Sequence, residues 1–595
     1  MARRPAPAAA ADTPSRGSGR RAWIGAVLVG AIALAASANS LHNRLVWDDA
    51  VTLSRMLVVF RSAGDVLAPP HDIPEYSPDY YRPLVFASYL LDRAIGGDDP
   101  FGFHLTVVLA HVATTILVYA LALQLFGAAP SLLGSSGRQR VLAALAAGAL
   151  FAVHPIHTES VAWSAGRTDV FATGFMVAAL WVHGWARSSW GGSILSGALT
   201  AAALGAKEAA VSLYPLMLLR DVTMPPERTR TMADWMRAYA GSLLAGIVYL
   251  LLRRNALGEV VGTAATPLQA SMRSPLEVLG AVGVYVGKLL WPARLNAYID
   301  HIDTDPVAIA LCTVLVVALV AAVWRWWSAR SDGLPLFAVG WIVLTLLPSL
   351  SILWKLPDAP IAERYLYLPS VGCCLLAGDG FGRLWARASV PVVRWALGFG
   401  LTAVLLAAGV QTVQRNRVWH DDIALFEDTE AKSRESGAPA CTLGNAYLEA
   451  GRVADAKAAF ERALQRRCSP RVRQTAYSNL GKLAKNTGDL DGAQRLYESA
   501  LQANPDAPDT LFNLGNLLLY KGRLSPAAAQ AALPYFARAQ TLNPYDADVE
   551  AAVAQCLSIL GQSGLAAQHA QRAIELGARG PALAIARRIV GGTGS

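Results

Sequence analysis

The chain has 595 residues, of which 54% are hydrophobic and only 16% charged, with a net charge of +9. A soluble domain carries roughly 25% charged residues, so a membrane protein is indicated rather than a wholly soluble one. The basic excess clusters at the ends of apolar runs, as in a polytopic protein, so no nucleic-acid partner is expected, and six Cys without CxxC or Cys/His spacing give no metal motif.

Residues 1–22, rich in Pro, Ala and Arg, are expected to be a disordered cytoplasmic N-terminus. The run 23–41 offers a peptidase-like "ASA", so a cleaved signal sequence is one reading, but it is long for a signal's apolar region and further spans follow, so it reads rather as an uncleaved anchor. Spans need roughly 20 apolar residues, fewer inside a bundle. Candidates are 23–41, 104–126, 139–153, 169–187, 193–206, 209–220, 234–252, 304–325, 334–354, 364–384 and 394–414, about eleven in all. With the N-terminus inside, the basic segments 137–140, 183–187, 220–230, 325–330 and 382–394 all fall on the cytoplasmic side. Segments 193–206 and 209–220 are short and meet at Lys207–Glu208, and broken helices at membrane depth usually line a cavity. The segment 276–292 breaks the parity and reads as an interfacial or re-entrant helix.

The opposite face collects the ionisable residues. Asp48 and Asp49 follow the first span in "VWDD". Paired carboxylates beside a cavity suit general-base work, one taking a proton from an acceptor hydroxyl while the other positions the site or helps bind a divalent metal. We take Asp49 as the base. Arg82, in an aromatic approach to the second span, has the forked donor set that grips phosphate. The stretch "FAVHPIHTESVAWSAGRTDVFATGF" (151–175) is the densest polar cluster, holding His154, His157, Glu159, Arg167 and Asp169. HxxH plus Glu is weak as a metal motif, so phosphate or sugar binding ranks above metal. Lys207, Glu208 and Arg364 complete the candidate binding set, since charges at membrane depth are costly and usually functional or paired. No cofactor is required by these residues, and a divalent metal stays an open alternative.

From about 415 the chain is polar and helical: 415–437 reads as a linker, 438–580 as repeats and 581–595 as a C-terminal tail. Leu443–Gly444, Leu480–Gly481 and Leu514–Gly515 recur at 37 and then 34 residues, and Gly451, Gly488 and Gly522 at the same steps. Phe460, Tyr497 and Phe536 align in the second helices, as do Ala463, Ala500 and Ala539. Small residues at helix approaches, an aromatic in the second helix and a turn glycine fit about four tetratricopeptide repeats, which form a surface for peptides or proteins. Cys441 and Cys468 lie at one edge of the first unit, close enough for a disulfide to be an alternative to two packed thiols.

"VWDD", "YYRPLVFASYLLD…FGFHL", "FAVHPIHTESVAWSAGRTD", "AKE" and "AERYLYLPSVG", followed by such repeats, resemble the transmembrane-and-tetratricopeptide-repeat O-mannosyltransferases, multi-spanning glycosyltransferases of the GT-C class. The resemblance covers nearly the whole chain in the family's order. It implies an all-α architecture: a GT-C-like polytopic membrane bundle over 23–414, then a repeat solenoid. It also implies a polyprenyl-phosphate-linked sugar donor, transfer to Ser or Thr hydroxyls of an acceptor protein on the non-cytoplasmic side, and a catalytic role for the acidic pair, here Asp48 and Asp49. Sugar identity is not fixed, mannose being the family's. In a bacterial inner membrane, which the Ala/Arg/Gly-rich composition hints at, site and repeats would face the periplasm. A membrane scaffold using its repeats for assembly explains the repeats but leaves the acidic and basic clusters idle. A transporter would fit the intramembrane charges, yet no duplication of spans is evident.

Overall fold

The structure, a computed structural model, describes residues 16–49, 52–53, 63–69, 80–128, 137–185, 189–224, 231–258, 275–299, 302, 306–330, 333–350 and 361–592. It is helical throughout, with only isolated bridges and no strand among the described residues. The chain divides into two compact units, Met1–Leu425 and Phe426–Ser595.

The first unit contains α1 (Arg16–Ser37), α2 (Pro83–Gly96), α3 (Pro100–Ala128), α4 (Gly137–Val153), α5 (Thr158–Ala162), α6 (Arg167–Trp185), α7 (Trp190–Ala206), α8 (Leu213–Thr223), α9 (Met232–Leu257), α10 (Pro275–Leu290), α11 (Pro306–Arg330), α12 (Leu334–Leu350), α13 (Tyr367–Arg387) and α14 (Pro391–Val418). The helix α1 already begins at Arg16, inside the segment expected to be disordered, of which 1–15 lie outside the described residues. Four helices, α1, α3, α9 and α14, are long and apolar enough to cross a membrane, and α4 with the bent 155–162 segment makes a fifth if the pair is one span. The expected eleven are not reached by length and composition among the described residues.

Two features position the candidate site. The central helix α3 packs on α1, α4 and α6, burying Val107, Val118, Tyr119 and Phe126. The helices α9 and α14 shed apolar side chains outward, Leu244, Leu251, Trp395 and Phe399 among them, as a lipid-facing surface does. The helices α7 and α9 approach closely at Gly197 and Gly241, where a Cβ on Gly197 would lie 2.6 Å from the Gly241 carbonyl oxygen. The chain after α7 breaks at Lys207, whose extended backbone (φ −160°, ψ 138°) separates α7 from the turn Glu208–Ser212 and α8. The segment expected to be interfacial is the helix α10.

The helix α15 (Asp422–Lys432) runs across the division between the units, in the stretch expected as a linker. The second unit pairs α16 (Ala438–Glu449) with α17 (Val453–Leu464), α18 (Pro470–Asn486) with α19 (Leu490–Ala503), α20 (Pro508–Lys521) with α21 (Pro526–Leu542), and α22 (Ala547–Ile559) with α23 (Ser563–Glu575). The Gly–aromatic correspondence is a physical contact. A Cβ on Gly444, Gly481 or Gly515 would come within 2.6–2.8 Å of Phe460, Tyr497 or Phe536 respectively. Gly451 and Gly488 take the left-handed turn, but Gly522 does not. In the longer third turn Arg523 (φ +51°) and Leu524 (φ +57°) carry it instead. Residues 580–592, expected as tail, form α24 (Gly580–Gly592), which buries Ala582, Ala586 and Ile589 against the last pair. Cys441 and Cys468 are free thiols on separate carbonyls, those of Val472 and Ala463, rather than a disulfide.

Candidate active site

Beyond the first span the backbone makes a tight turn over 46–49. The Asp49 N–H donates to the Val46 carbonyl (3.1 Å), and the Val46 N–H donates to Asp49 Oδ2 (3.3 Å). Trp47, at the first corner, has φ +61°. That left-handed conformation costs a bulky residue on the order of 1–3 kcal/mol and persists only where its surroundings enforce it. Its N–H donates to Asp422 Oδ1 at 2.6 Å, and its ring stacks on Trp163 (centroids 5.3 Å apart) and leans on Trp419 (6.4 Å). The Arg44 N–H also donates to the His420 carbonyl (2.8 Å), tying the strand-like approach to the end of α14.

The turn gives the two carboxylates different surroundings. Asp49 is 3% exposed, and Oδ1 accepts the Ala165 N–H at 2.9 Å. Desolvation first, and the neighbouring charge of Asp48 second, push its carboxyl up to about 8, against the pull of its two backbone hydrogen bonds. Asp48 reaches solvent. The protein crowded around it still raises its carboxyl, with the Arg364 guanidinium pulling the other way.

Arg364 acts on Asp48, and Lys207 lies within reach of both Arg364 and Arg82; each of the three cations is anchored by a carboxylate. Arg364 Nη1 lies 2.5 Å from Glu159 Oε1, and its backbone N–H donates to Glu159 Oε2 (3.0 Å). Its guanidinium lies over Trp163 and Tyr365, 5.3 and 5.0 Å from the ring centroids. Lys207 Nζ sits 2.5 Å from Asp169 Oδ1 and 5.1 Å from the same Tyr365 ring. Arg82 meets Glu208 through Nε (3.1 Å) and Nη2 (2.9 Å) and rests on Tyr80, while Arg253 reaches the other oxygen of Glu208 (3.3 Å). Arg82, Lys207, Arg253 and Arg364 form a wall of four cations, matched by Glu159, Asp169, Glu208 and the open carboxylate of Asp48. Such a wall suits a phosphate.

Arg167, expected among the phosphate ligands, is placed elsewhere. It is fully buried. Its donors go to Asp92 Oδ2 (2.6 Å), Ser88 Oγ (3.0 Å), the Phe103 carbonyl (3.0 Å) and both oxygens of Ser164, under the Tyr89 ring. It fixes the 164–166 turn that presents the Ala165 N–H to Asp49. Gly166 has no room for a side chain there: a Cβ would fall 2.7 Å from Ser160. His154 and His157 are likewise committed to packing. His154 Nδ1 accepts the Ile156 N–H and its Nε2 pairs with the Leu289 carbonyl, while His157 pairs with Ser370 Oγ (2.8 Å) between Phe151 and Tyr367. Tyr367 in turn pairs with His111 Nδ1 at 2.7 Å. The structure thus brings together Asp48, Asp49, Arg82, Glu159, Asp169, Lys207, Glu208 and Arg364, and sets Arg167, His154 and His157 in the layer beneath. Among the described residues no three His, Cys, Asp or Glu side chains converge as a metal-ligand set.

Sequence reasoning passed over Arg253, Trp163, Trp419 and Asp422. Trp163 stands inside the quoted polar cluster, and "VWHDD" (418–422) echoes "VWDD", which was the available signal.

A tetratricopeptide-repeat family model matches residues 440–467 and 474–507. Among curated proteins, Protein O-mannosyl-transferase Tmtc1 of Drosophila melanogaster is 28% identical over 476 residues, covering 64% of this chain and 53% of the relative. Protein O-mannosyl-transferase TMTC4 of Homo sapiens is 24% identical over 463 residues, covering 67% and 60%. The chain therefore spans about half the length of the curated relatives it matches. Among solved structures, YrrB, a tetratricopeptide-repeat protein with an unusual peptide-binding site, is 22% identical, covering 28% of this chain and 83% of its own, with a TM-score of 0.24. Over most of its length, then, the chain is similar to proteins named protein O-mannosyl-transferases, and within its second unit to tetratricopeptide repeats.

Proposed function

We propose that the chain is a membrane glycosyltransferase that moves a sugar, mannose by analogy with its relatives, from a polyprenyl-phosphate donor to a Ser or Thr hydroxyl of an acceptor protein. The observation that carries the proposal is the cluster of Arg364, Lys207 and Arg82, with Arg364 acting on the open carboxylate of Asp48. The reaction is an inverting displacement. A carboxylate takes the acceptor hydroxyl proton, and the hydroxyl oxygen bonds to the anomeric carbon. The bond from that carbon to the phosphate oxygen breaks, its electron pair leaving with the lipid phosphate. Phosphate is stable as an anion, so no general acid is needed, and the cations meet its charge. From the sequence alone Asp49 is the expected base. The geometry favours Asp48, because Asp49 is buried with each oxygen already accepting a backbone N–H. Asp49 then braces the turn.

The repeats hold the acceptor in this reading. Successive first helices pack on one another, and Asn479 Nδ2 donates to Asn445 Oδ1 (2.8 Å) from one such helix to the next. Site and repeats face the non-cytoplasmic side, so a reporter fused after Ser595 should be active only there. Purified full-length protein given a panel of polyprenyl-phosphate sugars and an acceptor should release lipid phosphate. A wild type that releases none with any donor refutes the transferase and favours the scaffold.

A further inference from the structure

Trp47 N–H points out of the 46–49 turn, away from the hydrogen bonds that close it, and finds the carboxylate of Asp422, the first residue of α15. The next residue along the chain from Trp47 is Asp48. Trp47 holds a left-handed φ of +61° that a tryptophan rarely adopts. The same stretch adds Trp419, packed at 6.2 Å on Trp163, and the His420 carbonyl that accepts the Arg44 N–H. Residues 419–422, nearly four hundred positions downstream, therefore grip the backbone of the carboxylate turn at two amides and one ring.

We propose that Asp422 is a positioning residue: by accepting the Trp47 N–H it holds the left-handed turn that presents Asp48 to the acceptor and buries Asp49 against Ala165. Without Asp422 the Trp47 N–H loses its carboxylate acceptor, and one of the contacts that offset the strain of its φ is gone. The turn relaxes toward ordinary conformations, and Asp48 leaves its place beside Arg364. Asp422 touches none of the reacting atoms. The cation wall of Arg82, Lys207 and Arg364 is built from other elements and stays intact.

The inference rests on the transferase reading for its catalytic arm, and a second arm is independent of it. In full-length protein, amide hydrogen exchange over 44–50 should quicken in Asp422→Ala and stay at the wild-type rate in Asp422→Asn, whose amide oxygen still accepts. Exchange in α3 should be unchanged in both. Transfer should fall about 10²-fold in Asp422→Ala through kcat, with donor KM within about threefold, and be largely retained in Asp422→Asn; small displacements of a catalytic group cost this much. Glycine adopts positive φ freely, so in a Trp47→Gly background removing Asp422 should cost about threefold or less, a non-additivity that a general loss of packing would not produce. If Asp422→Ala does not fold, the Asp422→Ser and Trp47→Gly pair carries the same comparison. Unchanged exchange over 44–50 in Asp422→Ala, or equal damage from Asn and Ala, overturns the proposal. A wild type without transfer overturns the transferase reading, and exchange alone then decides the role of Asp422.

Discussion

Arg167 and Arg364 look alike as sequence: each is an arginine in a polar motif, and each meets a carboxylate at about the same distance, 2.6 Å to Asp92 and 2.5 Å to Glu159. Their surroundings separate them. Arg167 is closed in on every side, its donors spread over two carbonyls, two hydroxyls and one carboxylate. Arg364 keeps 20% of its side chain exposed and lies over two aromatic faces at the opening where Asp48 stands. A cation whose hydrogen bonds are saturated supports a fold. A cation held on one side and open on the other is able to receive an anion.

The largest effect that tests this contrast is on folding. Arg167→Ala leaves Asp92 buried without its partner, a loss of about 3–5 kcal/mol. We expect little folded protein, read as a collapse of the thermal transition in detergent. A stable variant with only a raised donor KM would move Arg167 to the open side of the contrast. Next comes Asp48→Asn, which should fold normally and lose about 10²-fold or more of transfer, the lower range for a missing general base. Asp49→Asn should lose less, and the reverse order would restore Asp49 as the base. Arg364→Gln removes a charge-assisted contact of about 1.5–3 kcal/mol, so transfer at low donor should drop about tenfold or more; the buried Glu159 loses its cation but keeps the Arg364 backbone N–H and an amide donor, so the unfolding temperature should fall less than in Arg167→Ala.

A smaller effect follows from the carboxyl of Asp49. Its folded value, about 8, lies above the unfolded one, so the folded chain holds this proton over a window where the unfolded chain has lost it. The stability contributed by Asp49 is then fully present below about pH 4 and is lost as pH rises toward about 8. Unfolding temperature should decline across that window in the wild type, and the decline should be shallower in Asp49→Asn. Identical slopes would remove Asp49 from the buried layer. The smallest effect lies in the second unit. Burial pushes the Cys441 thiol up to about 12, so it should label slowly in the folded protein while Cys468 labels faster. After denaturation without reductant both should label fully.

The repeats were legible because their contacts are local and recur. Gly444 meets Phe460, Gly481 meets Tyr497 and Gly515 meets Phe536, so the periodicity of the sequence is the periodicity of the packing. The third turn departed from it where inserted residues let Arg523 and Leu524 take over from Gly522. In the first unit, residue type flagged the right neighbourhood, yet partners are set by the tertiary fold. Glu159 pairs with Arg364 across 205 positions and Trp47 with Asp422 across 375. No local pattern separates Arg167 from Arg364, or Asp48 from Asp49. His154 and His157 stood in the densest polar stretch but face a ring stack, because the bend after α4 turns them inward.

In the proposed reaction Asp48 takes the acceptor's proton as the sugar leaves its lipid phosphate. The direct measurement is lipid-phosphate release by the purified full-length chain from a polyprenyl-phosphate mannose, with and without an acceptor peptide, in the wild type and in Asp48→Asn. Acceptor-dependent release by the wild type is expected, with a loss of about 10²-fold or more in the variant while its fold stays intact. Undiminished release by the folded Asp48→Asn protein would contradict it.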